Sequence, residues 1–259
     1  MRSELLHIGP FTLYGYGLMI GIGILAAWIL AAVRSKKIGL DPDKVFSWVL
    51  CALIGGLGGA KVLFWILEWR EIAADPGFLI DTIGDGFVVY GGIIGGILVT
   101  WIYCRIKKDP FPVTFDLFMP SIALAQGFGR LGCLLAGCCY GKETDGPFYV
   151  VLNHSDYAPA HVHLLPTQLI SSFLNFMNAL ILVKLGDSRK RPTGAVGAIY
   201  LINYSAGRFL VEFLRGDPYR GTVGPLSTSQ FIAVFTLAGG IFLLFFAYRR
   251  STSQNVLNL

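Results

Sequence analysis

An arginine sits inside a long apolar run at Gly129-Arg130-Leu131-Gly132-Cys133. The pattern recurs at Tyr204-Ser205-Ala206-Gly207-Arg208, followed by Glu212 and Arg215. An ionised side chain at membrane depth costs roughly 2.5–3.5 kcal/mol on insertion scales, so it faces a partner, water or a ligand. A guanidinium presents a planar fork that matches phosphate or carboxylate. Two readings are open. One is structural pairing, Arg130 with Asp116 and Arg208 with Glu212 at i+4. The other is a site for an anion. Two arginines toward the same half of the membrane favour a phosphate site. Tyr204 lies four residues before Arg208 and shares its face, which makes it a candidate hydrogen-bond partner or proton carrier.

The cysteines are the next reactive set. Cys133, Cys138 and Cys139 form C-x4-C-C, with His154, His161 and His163 following. Zinc sites favour C-x2-C spacing, and adjacent cysteines are poorly placed to give two ligands to one tetrahedral ion. No metal is therefore expected. A Cys138–Cys139 or Cys133–Cys138 disulfide is open if the segment meets an oxidising exterior. Packing as small apolar side chains is the default for buried cysteine and covers Cys51 and Cys104. Gln126, Gln168 and Gln230 in apolar surroundings read as hydrogen bonds between helices. Tyr14 reads as an interfacial anchor.

The elements that carry these residues are membrane helices. The chain has 259 residues, 54% hydrophobic and 14% charged, with a mean hydropathy of +0.61. A soluble domain has about 25% charged residues. The apolar residues fall into seven runs long enough to cross about 30 Å of hydrocarbon, at 12–33, 46–67, 87–106, 114–138, 167–185, 194–214 and 227–248. This predicts an all-α membrane protein of about seven spans, forming one polytopic domain over 1–259. Thirteen basic residues follow runs one, three, five and seven, from Arg34 to Lys44, Arg105 to Lys108, Lys184 to Arg191, and Arg249-Arg250. The other side holds five: Arg2, Arg70, Lys142, Arg215 and Arg220. The positive-inside rule then puts the N-terminus outside and the C-terminus in the cytoplasm. The polar loop 142–165 becomes an ordered outward-facing arm. The net charge of +5 is explained by these loops and does not call for nucleic acid. The first run is too long for a signal h-region and reads as a retained helix.

Glycine is frequent within the runs. Gly55-Gly56-Leu57-Gly58-Gly59 reads as close helix packing. Gly91-Gly92-Ile93-Ile94-Gly95-Gly96, beside Tyr90, reads as a bent or broken helix lining a cavity. Run four, with Asp116, Pro120, Gln126, Arg130 and three cysteines, must turn a polar face into the protein.

Taken together, the motifs resemble those of the prolipoprotein diacylglyceryl transferases, bacterial inner-membrane enzymes, over nearly the whole chain. Tyr16-Gly17-Leu18-Met19 resembles the first-helix YGLM element. Tyr90-Gly91-Gly92-Ile93-Ile94-Gly95 stands where the family has H-G-G-x-x-G. Asp116, then Gly129-Arg130-Leu131-Gly132 with Gly137 and Gly141, resembles the signature G-R-x-G-N-F-x-N-x-E-x-x-G. Pro166-Thr167-Gln168-Leu169 resembles P-S-Q-L. Tyr204 to Arg215 resembles Y-x3-R-F-x2-E-F-x-R, and Leu226 to Gln230 resembles L-S-x-G-Q.

The resemblance implies transfer of a diacylglyceryl group from phosphatidylglycerol to the lipobox cysteine of a preprolipoprotein signal peptide. Glycerol phosphate is released and a thioether remains. It implies a multi-pass protein of the cytoplasmic (inner) membrane, with no cofactor, no metal and no nucleic-acid partner. Arg130 and Arg208 would clamp the phosphate, and Tyr204 and Tyr90 would handle the thiol proton. Tyr16, Gly91, Gly92, Asp116, Gly129, Gly141 and Glu212 would support the substrates. The chain departs from the pattern at the family's histidine, which is Tyr90, and at two signature positions, which are Cys133 and Cys138. The alternatives are a paralogue with altered or lost activity that binds an anionic lipid or another thiol, and a small transporter.

Overall fold

A computed structural model of the chain describes residues 4–8, 11–153, 155, 157–188, 191–217 and 221–257. Arg2, His154, Asp156, Arg189, Lys190 and Arg220 lie outside the described residues. Each expected run becomes a helix: α1 (Gly15–Lys37), α2 (Pro42–Leu67), α5 (Val89–Lys107), α6 (Phe111–Ala136), α7 (Thr167–Gly186), α8 (Ala195–Glu212) and α9 (Thr228–Leu257). Two short helices, α3 (Trp69–Ala74) and α4 (Phe78–Asp81), fill the turn between α2 and α5. Among the described residues, six helices are long and apolar enough to cross a membrane. The exception among the seven is α8, whose Asn203, Arg208 and Glu212 dilute its apolar character. Large apolar side chains cover the outer faces: Phe235, Phe242 and Phe245 of α9 are each more than 60% exposed. That surface suits acyl chains and makes this a multi-pass membrane protein.

The all-helical expectation needs one amendment. Two small antiparallel hairpins are present, β1 (Glu4–Ile8) with β2 (Phe11–Tyr14), and β3 (Thr222–Val223) with β4 (Leu226–Ser227). Residues 11–14, read as the start of the first span, pair as a strand with Leu6↔Leu13 and Ile8↔Phe11. Their alternating β-branched and aromatic character fits a strand as well as a helix, and length alone could not separate the two.

The chain divides into two compact units, Met1–Ala31 with Phe115–Leu259, and Ala32–Thr114. In the smaller unit α2 and α5 meet through glycine. A Cβ at Gly55 would stand 2.5 Å from the Gly95 carbonyl oxygen, one at Gly59 2.3 Å from that of Gly91, and one at Gly95 2.2 Å from that of Gly55. No side chain fits there, so the two backbones touch directly. The bent helix expected at residues 91–96 is thereby corrected: α5 runs unbroken through them, and its glycines serve packing against α2. Lys61 of α2 donates to the carbonyls of Thr82 and Asp85 and lies over the rings of Phe64, Trp65 and Phe87. At the other end of α2, Asp109 accepts from Lys44 at 2.6 Å and from Trp48 at 3.1 Å.

The larger unit is built on α6. Tyr16 and Met19 of α1 pack on Gly132, where a Cβ would come within 3.3 Å of both, and Gly23 packs on Phe128 and Ala125. Met119, Ala123, Ala179, Leu182, Val196 and Tyr200 form the core among α6, α7 and α8. Ser172 of α7 donates to the Gly127 carbonyl at 2.9 Å, and Tyr200 of α8 donates to Gln126 at 3.0 Å. The start of α8 is fixed by Asp116, which is 1% exposed. Its carboxylate accepts from Arg191 at 2.9 Å and from the backbone N–H groups of Gly194 and Gly197 at 2.7 and 2.9 Å. A carboxylate at a helix N-terminus satisfies open amides and faces the positive end of the dipole. The last helix starts with a reciprocal cap. Ser227 Oγ accepts from Gln230 N–H, and Gln230 Oε1 accepts from Ser227 N–H, both at 3.1 Å.

Two outcomes follow. Gly95→Val will dissolve the α2–α5 contact and collapse the yield of folded protein in detergent, whereas Gly58→Ala, with open space around the new methyl, will leave both yield and unfolding midpoint unchanged. Asp116→Ala strands Arg191 and two amides; breaking such a buried charge pair costs about 3–5 kcal/mol and will show as a lower thermal midpoint.

Candidate active site

Arg130 of α6 reaches an open cleft of about 370 Å³ whose other walls are α7 and α8. Ser171, Leu174, Asn175 and Asn178 come from α7, and Asn203, Tyr204, Gly207, Arg208 and Val211 from α8. Arg130, Arg208 and Tyr204 are thus on one cavity. The two arginines are in different electrostatic states. Arg208 donates to Glu212 at 2.6 Å and to Ser229 of α9 at 2.7 Å. Among the described residues, Arg130 has no carboxylate within ion-pair distance. It lies within electrostatic reach of Cys133, Tyr204, Cys139 and Arg215. A cation in a low-dielectric wall, unanswered by a carboxylate, is a ready position for an anion.

The cleft's amide wall was missed in the sequence. Asn203 donates to Asn178 at 2.9 Å, and Asn175 donates to the Ser171 carbonyl at 2.8 Å. Ser171, Asn175 and Asn178 recur at i, i+4 and i+7 in an apolar helix. That spacing was the available signal. The remaining residues of the expected site are dispersed. Asp116 is fourteen residues before Arg130 on the same helix, about 21 Å along the axis, and is occupied by Arg191 and the start of α8. Its assignment to the substrate site, and its pairing with Arg130, are both corrected. Glu212 forms the expected i+4 pair with Arg208.

The glycines divide similarly. Gly91 and Gly92 face Gly59 and Gly56 of α2, so packing accounts for these glycines. Gly141 is explained by close backbone approach, since a Cβ would lie 2.5 Å from the Leu165 carbonyl oxygen. Gly129 faces Ile20 of α1 with room to spare. Tyr16 sits at the start of α1 beside Gly132. Tyr90 is exposed in the first turn of α5, in the Ala32–Thr114 unit.

Soon after Arg130 the helix ends in a tight loop, and the last turns of α6 and this loop together carry three thiols. Helix α6 ends with Gly137 at φ +73°, with Gly137 N–H donating to Leu134 O and Cys138 N–H to Cys133 O. This is the paired bonding of a Schellman stop. Cys139 also takes a positive φ, +58°, an uncommon state for a side-chain-bearing residue. Neighbours then pin the loop. Gln168 donates to the Cys138 carbonyl at 2.9 Å and Thr167 to the Cys139 carbonyl at 2.8 Å. Ser155 donates to the Gly137 carbonyl at 3.0 Å while accepting from the amides of Tyr157 and Ala158. Gln168 and Gln230 therefore fix a loop and a cap, and Gln126 alone of the three joins two helices by its side chain.

As a result the Sγ atoms of Cys133, Cys138 and Cys139 all lie within 4.8 Å of one another. Adjacent cysteines were expected to be poorly placed to give two ligands to one ion; here the two positive-φ residues fold the chain back over the helix end and bring both sulfurs to one point. All five cysteines are free thiols, which sets aside the disulfide readings. His163 is stacked on Tyr149 at 3.7 Å and is not in the thiol cluster. Beyond the loop, Gly141 bridges Arg215, with Lys142 N–H donating to Leu214 O and Gly216 N–H to Tyr140 O. This ladder brings the buried Arg215, paired with Asp217, within electrostatic reach of Cys139.

The amino-acid sequence has counterparts among known proteins. The family model described as prolipoprotein diacylglyceryl transferase matches residues 3–246. The phosphatidylglycerol–prolipoprotein diacylglyceryl transferase of Clostridium tetani is 48% identical over 244 residues, covering 94% of this chain and 96% of the relative. Enzyme 2 of that name in Clostridium perfringens is 46% identical, covering 94% of each. The enzyme of that name from Pseudomonas aeruginosa is 32% identical, covering 96% of this chain and 94% of its own. The match spans both units and every membrane-length helix, and the chain belongs to the prolipoprotein diacylglyceryl transferase family.

Proposed function

We propose that this protein transfers a diacylglyceryl group from phosphatidylglycerol to the lipobox cysteine thiol of preprolipoproteins. The single observation that carries the reading is the cleft on which Arg130, without a carboxylate partner among the described residues, stands with Arg208 and Tyr204. Arg208 and Glu212 form a net-neutral donor pair. Arg130 is left as the cation that one phosphodiester charge answers. The amides of Asn175, Asn178 and Asn203 offer further hydrogen bonds to the headgroup. Sulfur attacks the glyceryl carbon next to the phosphate, the C–S bond forms, the C–O bond breaks, and glycerol phosphate leaves with the bonding electrons. Little bond-making falls to the protein, so positioning and charge stabilisation are its main contributions. Tyr204 handles the thiol proton from the cleft wall. Tyr90 holds the position that the resemblance gives to proton handling.

The whole chain acts as one polytopic enzyme of the bacterial inner membrane. Helix α8 is the seventh span, less apolar because it carries the site. The excess of basic residues in the loops after runs one, three, five and seven supports an orientation with the N-terminus and the 142–165 arm outside and the C-terminus in the cytoplasm.

Purified protein incubated with phosphatidylglycerol and a lipobox peptide will raise the peptide mass by one diacylglyceryl group. Arg130→Ala will lower the rate by about 10²–10³-fold, the usual loss when a charge-stabilising donor is removed, with the unfolding midpoint retained. Arg208→Ala will lose as much. Wild-type rates in both variants, or no mass shift with the parent protein, overturns the assignment.

A further inference from the structure

The loop Gly137–Cys139 sets three sulfurs around one point, and the phosphate site does not use them. Both flanking carbonyls and the Gly137 carbonyl are held by Gln168, Thr167 and Ser155. Cys139 bears the cost of a left-handed backbone to keep its side chain in the cluster. A tetrahedral zinc ion with Zn–S of about 2.3 Å separates its sulfurs by about 3.8 Å. The present spacing, within 4.8 Å, is at most about 1 Å wider than that. Three thiolates around a dication carry one net negative charge. Arg130 and Arg215, both within electrostatic reach of Cys139, offset it.

We propose that Cys133, Cys138 and Cys139 bind a thiophilic divalent metal, zinc by its chemistry, whose fourth position takes the lipobox cysteine sulfur for alkylation. The inference rests on the transferase reading and deepens it. Catalytic zinc sites keep three protein ligands and one open position. A thiol that coordinates such an ion is deprotonated outright. The substrate R–SH thus binds as R–S⁻, and its proton passes to water, with Tyr204 as a relay. Cys133 follows Arg130 by three residues on α6, so the two share a helix face, and a sulfur held there would approach the phosphodiester that Arg130 binds. Sulfur displaces the phosphate oxygen, the C–O electrons leave with glycerol phosphate, and the thioether, a weak ligand, dissociates. The thiolate is then generated without the family's histidine, whose position is Tyr90. The cysteines at two signature positions become the device that replaces it.

Cobalt(II) titrated into the reduced, detergent-solubilised full chain tests this without turnover. The expected result is one equivalent bound, with thiolate-to-cobalt charge-transfer absorption that is absent in Cys133→Ser and Cys138→Ser and retained in Cys51→Ser. A lipobox peptide will shift that absorption, and its cysteine-to-serine analogue will not. Zinc analysis of the protein as isolated gives an independent reading should a variant fold poorly. Absence of the absorption in the parent chain, its persistence in Cys133→Ser, or a Cys133–Cys138 or Cys138–Cys139 disulfide in the active enzyme overturns the site. Transfer by metal-free protein overturns this inference and leaves the transferase reading standing. A peptide-sensitive metal site in a protein that transfers nothing supports the thiol site and overturns phosphatidylglycerol as donor.

Discussion

A guanidinium held among apolar helices must be answered by something, and the larger unit is organised around how each one is answered. Arg191 is answered by Asp116, Arg208 by Glu212 and Ser229, and Arg215 by Asp217. The first two pairings also join parts of the chain, α6 to the start of α8 and α8 to α9, while the third lies within the segment that follows α8. Arg130 is the exception among these four, and it is the one that opens on the cleft with no carboxylate beside it. The scaffold neutralises the charges it uses for construction and, among the described residues, leaves Arg130 without a carboxylate.

Helix existence was legible because seven apolar runs of spanning length leave few alternatives. The pairing of α2 and α5 was half legible. A glycine cluster signals either close approach or broken backbone, and a single sequence does not say which surface lies opposite. Gly55 and Gly95 exclude each other's side chains, and that fact belongs to the pair. Asp116 was read correctly as buried and polar, but its partner is seventy-five residues away, beyond the reach of any local pattern. Arg208 with Glu212 is an i+4 contact and was readable for that reason.

The thiol loop shows a different limit. Spacing rules for metal ligands assume ordinary backbone, and by that assumption adjacent cysteines diverge. Gly137 and Cys139 both adopt positive φ, and the glycine was visible in the sequence while the cysteine's conformation was not. The Thr167-Gln168 pair that fixes the loop was seen as a motif, without any indication that it holds the carbonyls of residues 138 and 139. Function-bearing geometry here comes from hydrogen bonds between segments some thirty residues apart.

The first turn of α9 has two duties at once. Ser227 and Gln230 close the helix end on each other, and Ser229 between them accepts from Arg208. Fraying of that turn and release of the arginine are therefore one event. The charge pattern of the cleft is thermodynamically linked to local order in the final transmembrane segment, so a disturbance at the edge of the bilayer that loosens this turn is communicated inward as a rearranged electrostatic field.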